Sequence, residues 1–331
     1  KAEDSFDRSV QPSAGDAKTA VVPEFYKTEL ANGISVIGTQ TTEVPMVTMS
    51  INIKGGHIMD DLGFEDGTAV LTAALMNEGT EKYTTEEMGA ALKKMGTGLG
   101  VSAGPNSTRL TMRSTVENFE ASLELLEEVL MRPRFSEEDF KRVKKQMLES
   151  IKNQRTSTDV MASKAFNNLM YGNTVLGRYY TGTYQTMNKV KLEEVKSFYE
   201  KSFSPNLATV VVVGAISEDE VLKQIQFLNK WENKNLSVPE ITGFPKYEGP
   251  QVLLIDKPAA PQSQIRIGYL ANPYDYNGVF YKTSIMNFAL GGNFSSRINM
   301  NLREDKGFTY GARSGFSGSE YPGAFSAGAS V

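Results

Sequence analysis

The sequence predicts an α+β fold, a largely antiparallel sheet with helices packed on one face. Three observations carry this. Runs such as "MVTMSINIKGG" (residues 46–56) alternate apolar and polar residues with the period of a half-buried strand. Longer segments repeat apolar residues at helical spacing: Val116, Phe119, Leu123, Leu126 and Leu130 in one, and Phe140, Val143, Met147 and Ile151 in another. The same coarse order of elements then restarts after a Pro-, Asn- and Lys-rich stretch, "ENKNLSVPEITGFPKYEGP" (residues 232–250).

The elements follow in order. Residues 1–24 lack periodicity and are rich in Ala, Ser, Asp and Pro, the composition of a linker or extended arm. Asn32-Gly33 stands between two alternating runs, a hairpin signal because both residues tolerate the left-handed backbone of a tight turn. After the strand at 46–54 comes "GTAVLTAALMN" (67–77), apolar almost all round and therefore an interior helix. Thr84 and Glu87 form a capping box for a helix with Met88, Ala91, Leu92 and Met95 on one face. "GLGVSAGPNSTRLTMRST" (98–115) predicts a hairpin with a Gly-Pro-Asn-Ser tip. The two periodic helices come next, the second starting after Pro133 with Ser136 as its cap. Helices are expected at 157–171, 191–203 and 217–229, with the buried strand "LATVVVVGAI" before the last. Beyond the Pro-rich stretch the pattern gives strands at 251–256 and 263–270, helices at 278–290 and 295–305, and strands from 308 onward.

Composition excludes several functions. A net charge of −4 offers no basic face for nucleic acid. The absence of Cys removes disulfides, thiolate metal sites and Cys nucleophiles together. With a single histidine, His57, neither a Ser-His-Asp triad nor a multi-His zinc site can be built without that residue. No apolar run reaches the roughly 18 residues that span a membrane. The chain starts at Lys1 and stops at Val331 inside an apparent strand, so a piece of a longer protein is expected.

"GTAVLTAALMNEGTEKYTTEEMGAALKKMG" resembles the zinc-binding segment of the pitrilysin/insulinase (M16) metallopeptidases. That family carries H-x-x-E-H on a helix, then a Gly-Thr pair and a second helix; the two His hold zinc and the Glu is the general base. Aligning on Gly79-Thr80 puts the motif positions at Val70, Ala73 and Ala74. The family's distal Glu ligand falls at Ser150, with Glu149 one residue away and turned about 100° round a helix. Every matched ligand position is therefore lost. "GGNFSSRINMNLREDKGFTYGARSGF" is similar to the family's non-catalytic half, in which an Arg and a Tyr reach toward the zinc-bearing half and hold substrate near the scissile peptide. The matching residues are Arg303 and Tyr310, a fixed charged donor and a neutral one. The resemblance covers roughly residues 25–331, and the arm looks like the connector before the second half of long bacterial members.

The resemblance implies a domain order: a linker at 1–24, a metallopeptidase-like domain at 25–245 without its zinc motif, and part of a second homologous domain at 246–331. It implies the non-catalytic, substrate-binding half of a zinc metalloendopeptidase acting on peptides or unfolded chains, inactive alone. The partner would be a zinc-bearing catalytic half, in the same longer chain or a separate subunit. No cofactor is expected on this chain, and zinc is expected in the partner. The expected location is the bacterial periplasm or cell envelope rather than the cytoplasm. An inert structural subunit and a stand-alone peptide-binding module are the alternatives. His57 is expected to be a satisfied or exposed loop residue, and Gly291-Gly292 a helix C-cap rather than a phosphate cradle.

Overall fold

In β3 (Met46–Lys54), residues that alternate in sequence alternate in burial. Val47, Met49, Ile51 and Ile53 are fully buried, whereas Thr48, Ser50 and Asn52 on the other face are half-buried. The computed structural model describes residues 9–10, 13, 15–16 and 21–331, so most of the arm expected at 1–24 lies outside the described residues. β3 sits inside a six-stranded sheet with β1 (Tyr26–Glu29), β2 (Ser35–Gln40), β4 (Gly98–Ala103), β5 (Ser107–Thr115) and β6 (Ala208–Gly214). Its order is β1-β2-β6-β3-β5-β4, and every pair is antiparallel except β2–β6. The β1–β2 hairpin forms at the expected place, but of its Asn32-Gly33 pair only Gly33 is left-handed, at φ +91°. Asn32 has a second task there: its Nδ2 donates to Leu228 C=O at 2.8 Å and Trp231 C=O at 3.1 Å.

Helices cover the apolar face of this sheet. They are α1 (Thr68–Met76), α2 (Thr85–Met95), α3 (Phe119–Met131), α4 (Glu137–Gln154), α6 (Tyr184–Lys189), α7 (Leu192–Ser202) and α8 (Glu218–Gln224), while α5 (Thr158–Tyr171) packs toward a second, smaller sheet. The capping box of α2 forms as expected, and Ser136 caps α4 through the Asp139 N–H. α1 lies innermost, against α4, α7 and β4. One continuous core joins the sheet to these helices, from Val36 and Met49 to Leu71, Phe119, Phe198 and Trp231. Three short pieces go beyond the sequence expectations, α6 and 3₁₀ helices at Gly56–Leu62 and Pro205–Leu207.

Residues 232–263 form no helix or strand. The strand expected at 251–256 is therefore a misreading. Val252 and Leu254 are almost fully exposed, and an apolar run with no neighbouring strand has no ladder to join. A three-stranded antiparallel sheet follows, ordered β7 (Gln264–Leu270), β9 (Ala324–Ser330), β8 (Ala312–Phe316). The helix expected at 278–290 divides into α9 (Val279–Asn287) and a π turn at Phe288–Gly292, where Gly291 backs closely onto Ser314. The one expected at 295–305 becomes α10 (Arg297–Asn299) running into a π turn at Met300–Asp305. The two sheets meet through α5: Asp159 pairs with Arg266, and Phe166 lies against Gly268. Among the described residues no helix is long and apolar enough to cross a membrane.

Candidate functional site

α1 is held at its N-terminus by a buried carboxylate. Asp60 Oδ2 accepts from the Gly67 N–H at 3.0 Å and Oδ1 from the Ala69 N–H at 3.1 Å, the orphan donors that begin the helix. His57 Nδ1 lies 2.7 Å from Asp60 Oδ2. Burial pushes the Asp60 carboxyl up, and the His57 ring and the two N–H groups pull against that. Gly67, at φ +99°, is required here, because a Cβ would also meet Thr181 C=O and Met187.

The positions that would hold a catalytic metal lie on this helix and on α4. Ala73 is buried, Val70 and Ala74 are half-buried, and Ser150 and Glu149 are exposed. Val and Ala carry no lone pair, and Ser150 has only a neutral hydroxyl. Zinc takes Cys, His or carboxylate donors, so the matched residues do not fit it. The start of α4 is tied by charge to Glu78, just beyond the end of α1. Arg142 reaches Glu78 Oε2 at 2.5 Å and Asp139 Oδ1 at 3.1 Å, and Arg134 reaches Asp139 Oδ2 at 2.6 Å. Burial opposes ionisation of Asp139, but hydrogen bonds from Ser136, Arg142 and Arg134 win and hold its carboxyl below the usual range.

His57 departs from the loop expected for it. It is buried in the 3₁₀ helix, and its Nε2 has no hydrogen-bond partner. It borders a cavity of about 260 Å³ together with Ser163, Arg178 and Tyr179. Ligand atoms of His57, Asp60 and Asp66 lie within 4.8 Å of one another, but His57 Nδ1 and both carboxylates already have partners. Asp66 accepts from Arg178 Nε at 2.8 Å, and the same guanidinium pairs with Asp61. A cation placed there would compete with that guanidinium. The acidic density of "HIMDDLGFED" is the sequence signal that could have located this cluster.

Arg303 lies in the Met300–Asp305 π turn and Tyr310 in the loop that leads from it into β8, which turns at Gly307 with φ +62°. The Arg303 guanidinium carbon stacks 4.5 Å from the Phe294 ring centroid, and its Nε lies 3.4 Å from Glu304 Oε1. Tyr310 is 91% exposed. No hydrogen bond joins the two among the described residues, so each presents its donors independently. Gly291-Gly292 closes the π turn, with Asn293 in the cap position, and serves the close approach to Ser314.

Two family patterns match this chain. "Insulinase (Peptidase family M16)" matches residues 35–183, and "Peptidase M16 inactive domain" matches residues 189–331. Among curated relatives, the "non-peptidase homolog YmxG" of Helicobacter pylori is 26% identical over 293 residues, 86% of this chain and 66% of that protein. The "uncharacterized zinc protease YmxG" of Bacillus subtilis is 23% identical over 281 residues, 84% of this chain and 67% of that protein. The chain thus spans about two thirds of the length of these relatives. Among solved structures, a peptidase M16 inactive domain from Pseudomonas fluorescens superposes with a TM-score of 0.80 at 23% identity, covering 93% of this chain and 74% of the other. A protease from Helicobacter pylori superposes with a TM-score of 0.84 at 18% identity, covering 94% and 75%. Those likenesses concern the fold. With two patterns of one family matching in succession along nearly its whole length, and with donors missing from every metal position, the chain belongs to the M16 (insulinase) peptidase family, its residues 189–331 matching the inactive domain.

Proposed function

We propose that this chain is the non-catalytic, substrate-holding half of a zinc-dependent metalloendopeptidase that acts on peptides or unfolded chains. The observation that carries the proposal is the contrast between two sets of positions. Val70, Ala73, Ala74 and Ser150 have no metal-binding chemistry, whereas half-buried Arg303 and exposed Tyr310 keep donors suited to a substrate carbonyl. Zinc, its ligands and the general base belong to a partner half, in a longer chain or a separate subunit. Residues 25–245 form the wall carrying the altered helix, and residues 246–331 the part of a second domain that presents Arg303 and Tyr310. Stacking on Phe294 restrains the Arg303 guanidinium, so less freedom is lost when it engages substrate. Such positioning contributes on the order of several kcal/mol to a peptidase reaction.

The test is reconstitution with the zinc-bearing half, followed by Arg303→Ala and Tyr310→Phe. We expect kcat/KM for peptide hydrolysis to fall about 100-fold for the first, as for loss of a donor to developing charge. The second should cost about tenfold, the scale of one neutral hydrogen bond. The unpartnered chain should hydrolyse no peptide and bind no stoichiometric zinc in calorimetry. Undiminished hydrolysis by both variants would sink the holding role. A second reading, an inert structural subunit, draws on a different observation: Ile267, Tyr269, Tyr281, Ile285 and Phe288 are all more than half exposed, an apolar surface suited to assembly.

A further inference from the structure

β4 ends the six-stranded sheet and, among the described strands, pairs only with β5. An edge strand leaves a row of main-chain N–H and C=O groups that other strands and extended peptides can join. At the middle of β4 that row is already occupied. Asn77, which ends α1, turns its carboxamide onto Val101. Its Oδ1 accepts from the Val101 N–H at 2.8 Å, and its Nδ2 donates to the Val101 C=O at 2.9 Å. The same Nδ2 donates to the Ala73 C=O at 2.8 Å, one of the carbonyls a helix C-terminus leaves without a partner.

This network identifies the two ends of the carboxamide. Reversed, the amide would set NH₂ against an N–H and oxygen against two carbonyls. A donor and an acceptor exchanged with one residue is the contact that an opposite residue makes in a hydrogen-bonded antiparallel pair. The Asn carboxamide is chemically a peptide group on a side chain, whereas Asp in its place would lack both donors. Asn77 is exposed, so the contact is made at the surface rather than locked in the core.

We propose that Asn77 is a built-in strand mimic. It fills the central peptide-addition position on the free edge of β4, so that this edge accepts an extended peptide main chain only when the carboxamide is removed. The inference is independent of Arg303 and Tyr310, and it holds or fails without a zinc-bearing partner.

The experiment is residue-resolved amide hydrogen exchange on the full chain, for the wild type, Asn77→Ala and Asn77→Asp. In the wild type the Val101 amide should be protected despite its place on an edge strand. In Asn77→Ala its exchange should accelerate about tenfold, the scale of one hydrogen bond, while the interior Ile51 and Leu110 amides stay slow and show that the variant folds. Asn77→Asp keeps an acceptor but sets a carboxylate oxygen against the Val101 and Ala73 carbonyls, so it should lose Val101 protection as Asn77→Ala does. A fluorescein-labelled octapeptide of alternating Thr and Val should then raise its anisotropy and restore Val101 protection with Asn77→Ala, and do neither with the wild type. Unchanged Val101 exchange in Asn77→Ala overturns the mimic, as does full Val101 protection in Asn77→Asp. A freely exchanging Val101 that takes up no peptide overturns the peptide-addition role, as does equal uptake by the wild type.

Discussion

β3 and β7 use the same alternation with opposite outcomes. In β3 the apolar set Val47, Met49, Ile51 and Ile53 is fully buried beneath helices. In β7 the set Ile265, Ile267 and Tyr269 alternates as regularly but stands 42%, 66% and 56% exposed, and it is the Arg266–Gly268 face that meets α5. Period two says which residues share a face. It does not say that a layer covers that face. The six-stranded part thus carries a self-sufficient core, while the three-stranded part keeps apolar area open to an additional layer or partner.

The sharpest way to break this comparison is at Phe119, fully buried in the larger core. Phe119→Ala should destabilise the chain by about 3–5 kcal/mol, read from the urea unfolding midpoint. A loss below about 1 kcal/mol would mean that this core is not the stabilising one.

A smaller effect is expected at the charge cluster that begins α4, whose Arg142 also reaches Glu78 beyond α1. Asp139→Asn should cost about 1 kcal/mol at neutral pH, because Arg134 and Arg142 lose a charged acceptor. The folded carboxyl is held below its ordinary value. Its contribution is therefore fully present above the unfolded pKa of about 3.9 and is lost as pH falls through the folded value. Thermal unfolding of both proteins at pH 7 and near pH 2.5 checks this: the difference should narrow in acid, and a constant difference would assign the effect to packing.

The smallest effect should appear on the open face. Ile267→Ala should change the stability of this chain by no more than about 0.5 kcal/mol. A loss of several times that would show the face to be covered, and the contrast with β3 would fail.

Much of the fold was legible in the sequence, and the reasons are local. The α2 capping box, the Ser136 cap and the Asn32-Gly33 turn depend on neighbours a few residues apart, and each forms. α1 could be recognised as interior because it is apolar on every side. The misreadings share a different cause. "QVLLID" has strand composition but no strand beside it, and α6 is too short to display a period. The π turns at Phe288–Gly292 and Met300–Asp305 interrupt helical patterns that composition alone continues. At the candidate site, the missing donors at Val70, Ala73, Ala74 and Ser150 could be counted directly, because donor chemistry belongs to residue type. That His57 is buried against Asp60, and that Arg303 stacks on Phe294, could not.

By itself the sequence determined the α+β class, most of the elements and the loss of metal-binding chemistry. Each of these follows from residue type and short-range spacing. Only the tertiary structure decided that Asp60 secures the start of α1 and that Asn77 closes the middle of β4. Neither contact has a period or motif behind it. Asn77 meets Val101 because α1 packs against the sheet edge at a height that brings one carboxamide onto one residue's main chain, and that height is set by the burial of the whole core.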